Sequence, residues 1–420
     1  MFSVRKEIAM DIKKLTEAEI PHLIELRRHF HEYPEPSQKE FKTMEFIEAR
    51  LKEMGISSVR IPKGGIFGFI DSGTPGFSVL MRADMDALPI QEDPENLSKK
   101  KICVSKNAGY SHACGHDGHM SMLLTCAKIL SEHKKEWEGR VILMFEEAEE
   151  FGERGAGPML QYLDDEKIHV DACYATHVRW DIPVGKMSIL KGGVMAGAFF
   201  FRANILGKGG HGSRPDLSVS PIDCFLSFAG QMQSFRMRCA SPEHCLTYSF
   251  GCVQAGHEPN VIPSSLMFAG TCRFFSDEDG QRFRRQFYTS LKNECENFGC
   301  SSEMVEAQYF PVVENNDACV ELAEKSITET LGDQVLLQAE PWMASETFAL
   351  TTARYPGILA FTGIMDPEVG SGANHHTAKF DIGEKGLVTG VESALCYTLA
   401  MLREKPKISF QARPLKELLS

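Results

Sequence analysis

Hydrophobic positions recur at helical spacing near the beginning of the chain. Residues 16–54 predict two helices, because apolar side chains return every three or four positions on both sides of residues 31–36. That short segment contains Pro34 and Pro36, and prolines cannot continue a helix. The beginning of the chain therefore predicts two helices joined by a turn.

Short apolar runs replace this pattern from Gly65 onward. They predict buried strands at residues 65–71, 77–82 and 140–145. Residues 120–130 have helical spacing and lie between the last two strands. A strand, a helix and a second strand at this spacing predict an α/β domain with a mixed or parallel sheet, whose sites collect at the carboxyl ends of its strands.

The pattern changes again near residue 190. An α+β block follows, with strands predicted at 199–206, 246–254 and 265–274 and helices at 222–232 and 281–296. A helix at 320–331, a strand at 357–361 and a helix at 386–402 then resume the first pattern. We therefore expect a domain of residues 191–306 inserted into a domain of residues 1–190 and 307–420, with 404–420 as a surface tail.

The charge balance excludes some classes of partner. The chain has 420 residues, of which 43% are hydrophobic, and 45 Lys and Arg against 57 Asp and Glu give a net charge of −12. With no long basic run, nucleic acid is not an expected partner. Stretches without charge, such as 244–257, are shorter than the roughly 18 apolar residues of a membrane-spanning helix. Because the first residues lack a signal-peptide pattern, we expect a cytoplasmic protein without a membrane segment.

The thirteen cysteines do not resemble a disulfide framework, because their number is odd and no C-x-x-C pair occurs. One of them, Cys114, lies in the segment SHACGHDGH at 111–119, which contains three histidines, a thiol and a carboxylate. These are the groups that bind Zn²⁺ or a similar divalent ion. Cys114 and His116 can face one ion if Gly115 allows a tight turn between them.

Carboxylates follow two of the predicted strands directly. The strand that begins at Val79 ends in Asp84 and Asp86, and the strand that begins at Val141 runs into the segment EEAEE at 146–150. A carboxylate at a strand end can accept the outer N–H group of a ligating histidine and fix its tautomer. Of two adjacent carboxylates near an ion, one can bind the metal while its neighbour acts as a general base.

These motifs resemble those of the M20 metallopeptidases, in the amidohydrolase branch that includes hippurate hydrolases, auxin-conjugate hydrolases and N-acyl-amino-acid deacylases. The resemblance rests on RADMDALP at 82–89, HACGHDGH at 112–119, AEE at 148–150, HV at 177–178, GKGGHG at 207–212, NVIP at 260–263, GTCR at 270–273, SETF at 345–348 and HHTAKF at 375–380. It implies a mixed-sheet, zinc-peptidase-like catalytic domain with an inserted ferredoxin-like α+β domain that acts in dimerisation or as a lid.

The resemblance also implies roles for individual residues. The implied metal ligands are Cys114, His116, Glu150, His177 and His376, for two divalent ions per subunit. Zinc and manganese are the first candidates, and cobalt and nickel stay open. His375 competes with His376, since only the spacing to Phe380 distinguishes them. Glu149 is the implied general base, Asp84 orients ligands, His211 and Asn260 polarise the scissile carbonyl, and Arg273 binds a substrate carboxylate.

The implied reaction is hydrolysis of N-acyl amino acids to a carboxylic acid and a free amino acid, by a homodimer or larger homo-oligomer. The alternatives are a dipeptidase or carboxypeptidase of the same fold, and a catalytically silent binding protein. The sequence departs from the family pattern at Glu146, Glu147, Thr347 and Ala378. The two glutamates add negative charge beside the site, which strengthens cation binding and disfavours anionic substrates. Because the implied ligands and base are retained, we expect altered substrate choice before loss of activity.

Overall fold

The computed structural model describes residues 10–151 and 155–419. The chain forms two compact units. The second unit consists of Gly193–Val313 and Pro341–Ala349, and the first contains the remaining residues on both sides of these segments. Within the described part of the chain, the helices are too short or too polar to cross a membrane.

Fifteen strands occur in the described residues. In chain order they are β1 (Ser57–Ile61), β2 (Gly65–Asp71), β3 (Ser78–Asp84), β4 (Arg140–Glu146), β5 (Ala172–Pro183), β6 (Met187–Ser188), β7 (Gly192–Met195), β8 (Gly197–Leu206), β9 (Gly210–His211), β10 (Leu246–Ala255), β11 (Val261–Ile262), β12 (Ser265–Phe274), β13 (Ser301–Phe310), β14 (Val313–Asn315) and β15 (Gly357–Met365).

The described residues also form ten α-helices. They are α1 (Ile12–Glu32), α2 (Phe41–Glu53), α3 (His116–Glu132), α4 (Ala156–Asp165), α5 (Pro221–Cys239), α6 (Asp277–Phe298), α7 (Asp317–Leu331), α8 (Phe348–Arg354), α9 (Lys385–Glu404) and α10 (Leu415–Leu418). The predicted elements are confirmed in type, with boundaries that differ by a few residues at most helix ends.

The first unit contains a seven-stranded mixed sheet in the order β1-β2-β4-β3-β5-β15-β6. Strands β4, β3, β5 and β15 are parallel neighbours, whereas β1, β2 and β6 pair antiparallel. Because parallel strands end at one edge, Asp84 lies opposite Glu146 in the register of β3 and β4. The mixed sheet confirms the predicted α/β class, and its carboxyl edge collects the polar strand ends.

Helix α3 is buried along nearly all of its length. It contacts β3 and β5 of the sheet and also packs against α1 and α9. Its apolar residues Met120, Leu124 and Leu130 are fully excluded from solvent, as expected for a helix that is packed on several sides. The beginning of α3 is thereby fixed at the carboxyl edge of the sheet.

The second unit has the strand and helix order βαββαβ, formed by β8, α5, β10, β12, α6 and β13. Its four strands pair antiparallel in the order β10-β12-β8-β13, which is the ferredoxin-like arrangement predicted above. The helices begin at serine N-caps, Ser220 and Ser276, whose side chains accept backbone N–H groups. The core is aromatic, with Phe199, Phe268 and Phe287 fully buried.

Parts of the fold differ from the sequence-based expectations, and β1, α4 and β13 were not predicted. Strand β5 was not predicted, because His177 and Arg179 interrupt its apolar pattern, although both side chains are buried. The final segment is not only a surface tail. It contains α10, in which Leu415 and Leu418 are buried and therefore contribute apolar contacts.

Candidate metal centre and active site

A left-handed glycine precedes α3 and shapes the turn that carries Cys114 and His116. Gly115 has φ +92°, and a Cβ atom there would lie 2.3 Å from Cγ2 of Val178. A side chain at this position would be strained and would also clash with β5. Gly115 therefore allows the thiol and the imidazole on its two sides to lie at the same edge of the sheet.

Potential metal-ligating atoms converge at this edge. Within each of four sets found among the described residues, all donor atoms lie within 4.8 Å of one another: Cys114, His116 and His177; Asp84, His116 and His119; Cys114, Glu150 and His376; and His116, Glu149 and Glu150. The five implied ligands and the implied base thus lie together in the first unit. Cys114 belongs to two of the sets, and His116 belongs to three.

The donor atoms also satisfy a physical test for an ion. Nε2 of His116 is buried and makes no hydrogen bond to the described residues. Buried polar atoms without such partners are costly in a native protein. Imidazole nitrogen, thiolate sulfur and carboxylate oxygen are ligands of Zn²⁺ and related divalent ions. The residues present therefore fit a divalent metal centre.

His116 presents one ring nitrogen to this centre. Its Nδ1 lies 3.2 Å from Oδ1 of Asp86, while Nε2 lies 3.6 Å from Asp84 and 3.9 Å from Glu150. Burial alone would lower the pKa of His116, but the Asp84 and Asp86 carboxylates raise it well above its ordinary value. Nε2 of His116 therefore lies where anionic groups favour a positive charge.

His177 is oriented by the backbone of its own strand. Its Nδ1 lies 2.7 Å from the carbonyl oxygen of Val178, to which it donates, and its Nε2 lies 3.6 Å from Sγ of Cys114. Burial and the nearby histidines His119 and His375 lower the pKa of His177 well below its ordinary value. The ring is therefore neutral at pH 7, which is the form that binds metals.

His119 differs from its neighbours, because both of its ring nitrogens have protein partners. Nε2 accepts a hydrogen bond from the backbone N–H of Val178 at 2.9 Å, so it carries no proton. Nδ1 then donates to Oδ1 of Asp84 at 2.6 Å. Although His119 lies near Asp84 and His116, its ring supports the strand and the carboxylate instead of presenting a lone pair to an ion.

Asp84 and Glu146 share one buried cation. Arg82 contacts Oδ2 of Asp84 through Nη1 and Oε2 of Glu146 through Nε, each at 2.8 Å. Oε1 of Glu146 also accepts the backbone N–H of Ala156. The negative charge that Glu146 adds beside the site therefore lies in an ion pair with Arg82, which Asp84 shares.

The remaining three ligand candidates, Cys114, Glu150 and His376, differ in exposure. Burial and the nearby Glu150 raise the pKa of the Cys114 thiol well above its ordinary value. Nε2 of His376 lies 3.1 Å from Oε1 of Glu150, and the His376 side chain is 50% exposed. His375 instead contacts the rings of His177 and Phe380 and belongs to none of the donor sets found among the described residues. The geometry therefore favours His376 over His375 as a ligand.

Two further buried carboxylates hold the backbone near the site, and one of them, Glu40, was not given a role by the sequence. Asp86 accepts the backbone N–H of Glu150 at 2.9 Å, and Glu40 accepts that of Ala148 at 2.8 Å. Asp86 was singled out with Asp84 as a strand-end carboxylate that can orient a ligating histidine, and it lies 3.2 Å from Nδ1 of His116. Glu40 gave no signal, because it lies 108 positions from Ala148 and outside the motifs.

In the second unit, His211 and Asn260 are neighbours across β9 and β11. His211 pairs with Val261, and Gly212 donates its backbone N–H to the carbonyl oxygen of Asn260 at 2.8 Å. Nδ1 of His211 accepts the backbone N–H of Ser213 at 3.1 Å, so a neutral ring carries its proton on Nε2. His211 is exposed and can donate this N–H to a ligand.

Arg273 lies on β12 of the same unit. Its guanidinium lies 4.7 Å from the ring centre of Phe200, and burial lowers its pKa. Nη1 is buried and makes no hydrogen bond within residues 10–151 and 155–419. A guanidinium with an unused donor is suited to binding a carboxylate.

Comparisons with known proteins agree with this geometry. The family model for peptidase family M20/M25/M40 matches residues 80–399. IAA-amino acid hydrolase ILR1-like 2 of Arabidopsis thaliana is 34% identical over 91% of this chain and 86% of its own. Thermostable carboxypeptidase 1 of Saccharolobus solfataricus is 30% identical over 91% of this chain and 95% of its own.

A solved structure gives the same result. The crystal structure of Bacillus subtilis YXEP, described as a dinuclear metal binding peptidase from the M20 family, superposes with a TM-score of 0.75 and 27% identity. The match covers 92% of this chain and 99% of that one. The chain therefore belongs to peptidase family M20/M25/M40, in its amidohydrolase branch, and is a metal-dependent amidohydrolase or peptidase.

Proposed function

We propose that this chain hydrolyses the amide bond of N-acyl amino acids, releasing a carboxylic acid and a free amino acid. The observation that carries the proposal is the position of Cys114 in two donor sets at once, beside Glu149. The Arabidopsis relative, which is named an IAA-amino acid hydrolase, supports a substrate in which an acyl group is joined to an amino acid.

We propose that two divalent ions bind, through Cys114, His116, Glu150, His177 and His376. Sulfur and nitrogen donors favour Zn²⁺, while the carboxylate oxygen also suits Mn²⁺, and Co²⁺ or Ni²⁺ would accept the same set. When bound, such an ion supplies Lewis-acid chemistry, lowering the pKa of water and polarising a carbonyl oxygen.

Glu149 is the proposed general base. It accepts a proton from the water that attacks the amide carbonyl and then returns that proton to the leaving amine. The Nε2–H group of His211 is the proposed donor to the carbonyl oxygen as it gains negative charge, together with Asn260. Arg273 is the proposed partner of the substrate carboxylate, because its Nη1 donor is not used by the described residues.

We also propose that the protein is cytoplasmic and forms a homodimer. The thirteen cysteines are all free thiols, which is typical of a reducing cytoplasm. The ferredoxin-like unit resembles the dimerisation domain of the family, so we expect a homodimer. Light scattering that returned the 46.8 kDa mass of one chain would contradict this part of the proposal.

A carboxypeptidase or dipeptidase of the same fold is the second candidate. Its support is specific, because the Saccharolobus relative is named a carboxypeptidase and is 30% identical over nearly its whole length. N-acyl amino acids and dipeptides present the same amide bond and the same terminal carboxylate. They differ in the group on the other side, where a dipeptide has a charged amine.

A single-turnover assay tests these alternatives. Metal-loaded protein is mixed with a panel of N-acyl amino acids and a matched panel of dipeptides, and the released amine is measured with and without a chelator. We expect chelator-sensitive cleavage that is faster for N-acyl amino acids. Faster cleavage of dipeptides would favour the second candidate, and cleavage of neither panel would favour a silent binding protein.

The variant Glu149→Ala tests the proposed base. We expect a loss of roughly 10²–10⁴ in kcat with wild-type metal content, since the residue transfers protons. Glu147→Ala is the matched control, because it removes a neighbouring carboxylate that belongs to none of the donor sets among the described residues. Activity of Glu149→Ala within tenfold of wild type would remove Glu149 as the base.

A further inference from the structure

The loop that carries Glu149 lies between two buried carboxylates. We call residues 147–150 the base loop. The Ala148 N–H donates to Oε1 of Glu40 at 2.8 Å, and the Glu150 N–H donates to Oδ2 of Asp86 at 2.9 Å. The backbone on both sides of Glu149 is therefore bound by a carboxylate oxygen from another part of the chain.

The backbone of Ala148 has an unusual conformation that such a bond can stabilise. Ala148 has φ +54°, in the left-handed region where a residue with a Cβ is strained. Its N–H is directed at Oε1 of Glu40, which is 0% exposed and precedes α2 as its N-cap residue. Without this acceptor, the N–H would be buried without a partner and the left-handed turn would lose its support.

The bond to Ala148 uses Oε1, one of the two carboxyl oxygens of Glu40. Its Oε2 has no hydrogen-bond partner in the described part of the chain. Burial and the nearby Asp86 raise the pKa of Glu40 to about 8. A largely neutral Glu40 can accept the Ala148 N–H without placing another negative charge beside Glu149.

We propose that Glu40 is a positioning residue for the general base, fixing the left-handed turn at Ala148 so that the Glu149 carboxylate is directed at the reacting water. This inference rests on the proposed role of Glu149. Asp86 serves the other end of the base loop and also lies 3.2 Å from Nδ1 of His116. Glu40 has no such contact with a proposed ligand, so its effect on the base can be measured separately.

The test compares Glu40→Ala, Glu40→Asp and Glu40→Gln. The alanine variant removes the acceptor, and the aspartate variant withdraws it by one methylene. For both we expect a fall in kcat of about 10- to 100-fold with unchanged KM and metal content, because small displacements of a catalytic group are costly. The glutamine variant keeps an oxygen in place, so we expect it to retain kcat within about threefold.

Glu35→Ala is the matched control. Glu35 also lies before α2 and accepts the N–H and hydroxyl groups of Thr43, at 2.8 and 3.0 Å. We expect this variant to lower the melting temperature without changing kcat. If Glu40→Ala does not fold, the comparison of Glu40→Asp with Glu40→Gln decides the question.

The outcomes separate this inference from the proposed function. Wild-type kcat in Glu40→Asp and Glu40→Ala, whatever their stability, would overturn the positioning role while Glu149→Ala remained inactive. Equal losses in Glu40→Gln and Glu40→Ala would also overturn it, because the hydrogen-bond acceptor would not be the decisive feature. An active Glu149→Ala would instead show that Glu149 is not the general base, and the positioning role of Glu40 would then also be rejected.

Discussion

Arg82 and Glu146 form a buried ion pair at the ends of two neighbouring strands, with Nε of Arg82 2.8 Å from Oε2 of Glu146. The same guanidinium contacts Asp84, the register partner of Glu146. One guanidinium therefore contacts both carboxylates where β3 and β4 end. Oδ1 of Asp84 accepts a hydrogen bond from His119, and Oδ2 accepts one from Arg82.

Removing this cation should destabilise the first unit strongly. For Arg82→Met we expect a loss of about 3–5 kcal/mol in the free energy of unfolding, since two buried carboxylates lose their guanidinium partner. Adding Glu146→Gln should recover part of the loss. Urea unfolding measures both variants, and Arg60→Met, which breaks a surface pair with Glu48, is the control with an expected loss below about 1 kcal/mol. A loss equally small for Arg82→Met would contradict the prediction.

The two histidines at either end of the first turn of α3 should respond differently to mutation. His116→Ala removes a proposed ligand, so we expect the metal content measured by plasma mass spectrometry to fall. His119→Ala removes a ring whose nitrogens bond to Asp84 and to the backbone of Val178. We expect it to retain the metal but to lower the melting temperature. Equal metal loss in both variants would show that His119 is also needed for binding.

Cys114→Ala should lower metal content and activity together, because this thiol belongs to two donor sets. Cys126→Ala is the matched control. Cys126 is also fully buried, but its thiol lies on α3 near the carbonyl oxygen of Val391 and outside the donor sets of the described residues. We expect the control to retain its metal. Full metal occupancy and a normal rate in Cys114→Ala would remove the sulfur from the proposed centre.

Glu40 should make the stability of the metal-free protein depend on pH. Its pKa is about 8 in the folded protein against an ordinary value of 4.5, so between these pH values the folded state retains a proton that the unfolded state loses. Folding stability should therefore fall as the pH rises from about 5 to 8, by on the order of 1.4 kcal/mol per unit of pKa difference.

Glu40→Gln cannot lose a proton, so it supplies the comparison for this measurement. The free energy of unfolding of both proteins is measured in urea with chelator. As the pH rises through this window, we expect the wild type to lose stability relative to Glu40→Gln. Parallel pH profiles for the two proteins would mean that Glu40 is already ionised in the folded state beside Asp86 and Glu147.

Residues close together in the sequence were predicted well. The turn with Cys114 and His116 and the adjacent pair Glu149 and Glu150 are short motifs, and the ends of β3 and β4 lie at one edge for topological reasons. The α/β class and the inserted α+β block followed from the spacing of apolar residues, whereas the ferredoxin-like arrangement was implied by the family resemblance. Local chemistry and periodicity were sufficient for these features.

Long-range contacts of single polar residues could not be predicted in this way. The burial of Glu40 and its bond to Ala148 depend on how α2 lies against the end of β4, which no local pattern encodes. The pairing of Arg82 with Glu146 likewise requires the strand order. His119 was part of a recognised motif, but its role depends on the backbone N–H of Val178 in β5. That strand was not predicted, because polar residues interrupt its apolar pattern.

His376 is the most exposed of the proposed ligands, with 50% of its side chain accessible, whereas the side chain of His116 is 1% exposed. Solvent and chelators therefore reach His376 more easily than the enclosed set of Cys114, His116 and His177. An ion bound on the His376 side would exchange faster than one bound on the His177 side. Dialysis would then remove one ion and leave the other. The metal-to-protein ratio of a sample would therefore depend on how long it had been dialysed during purification.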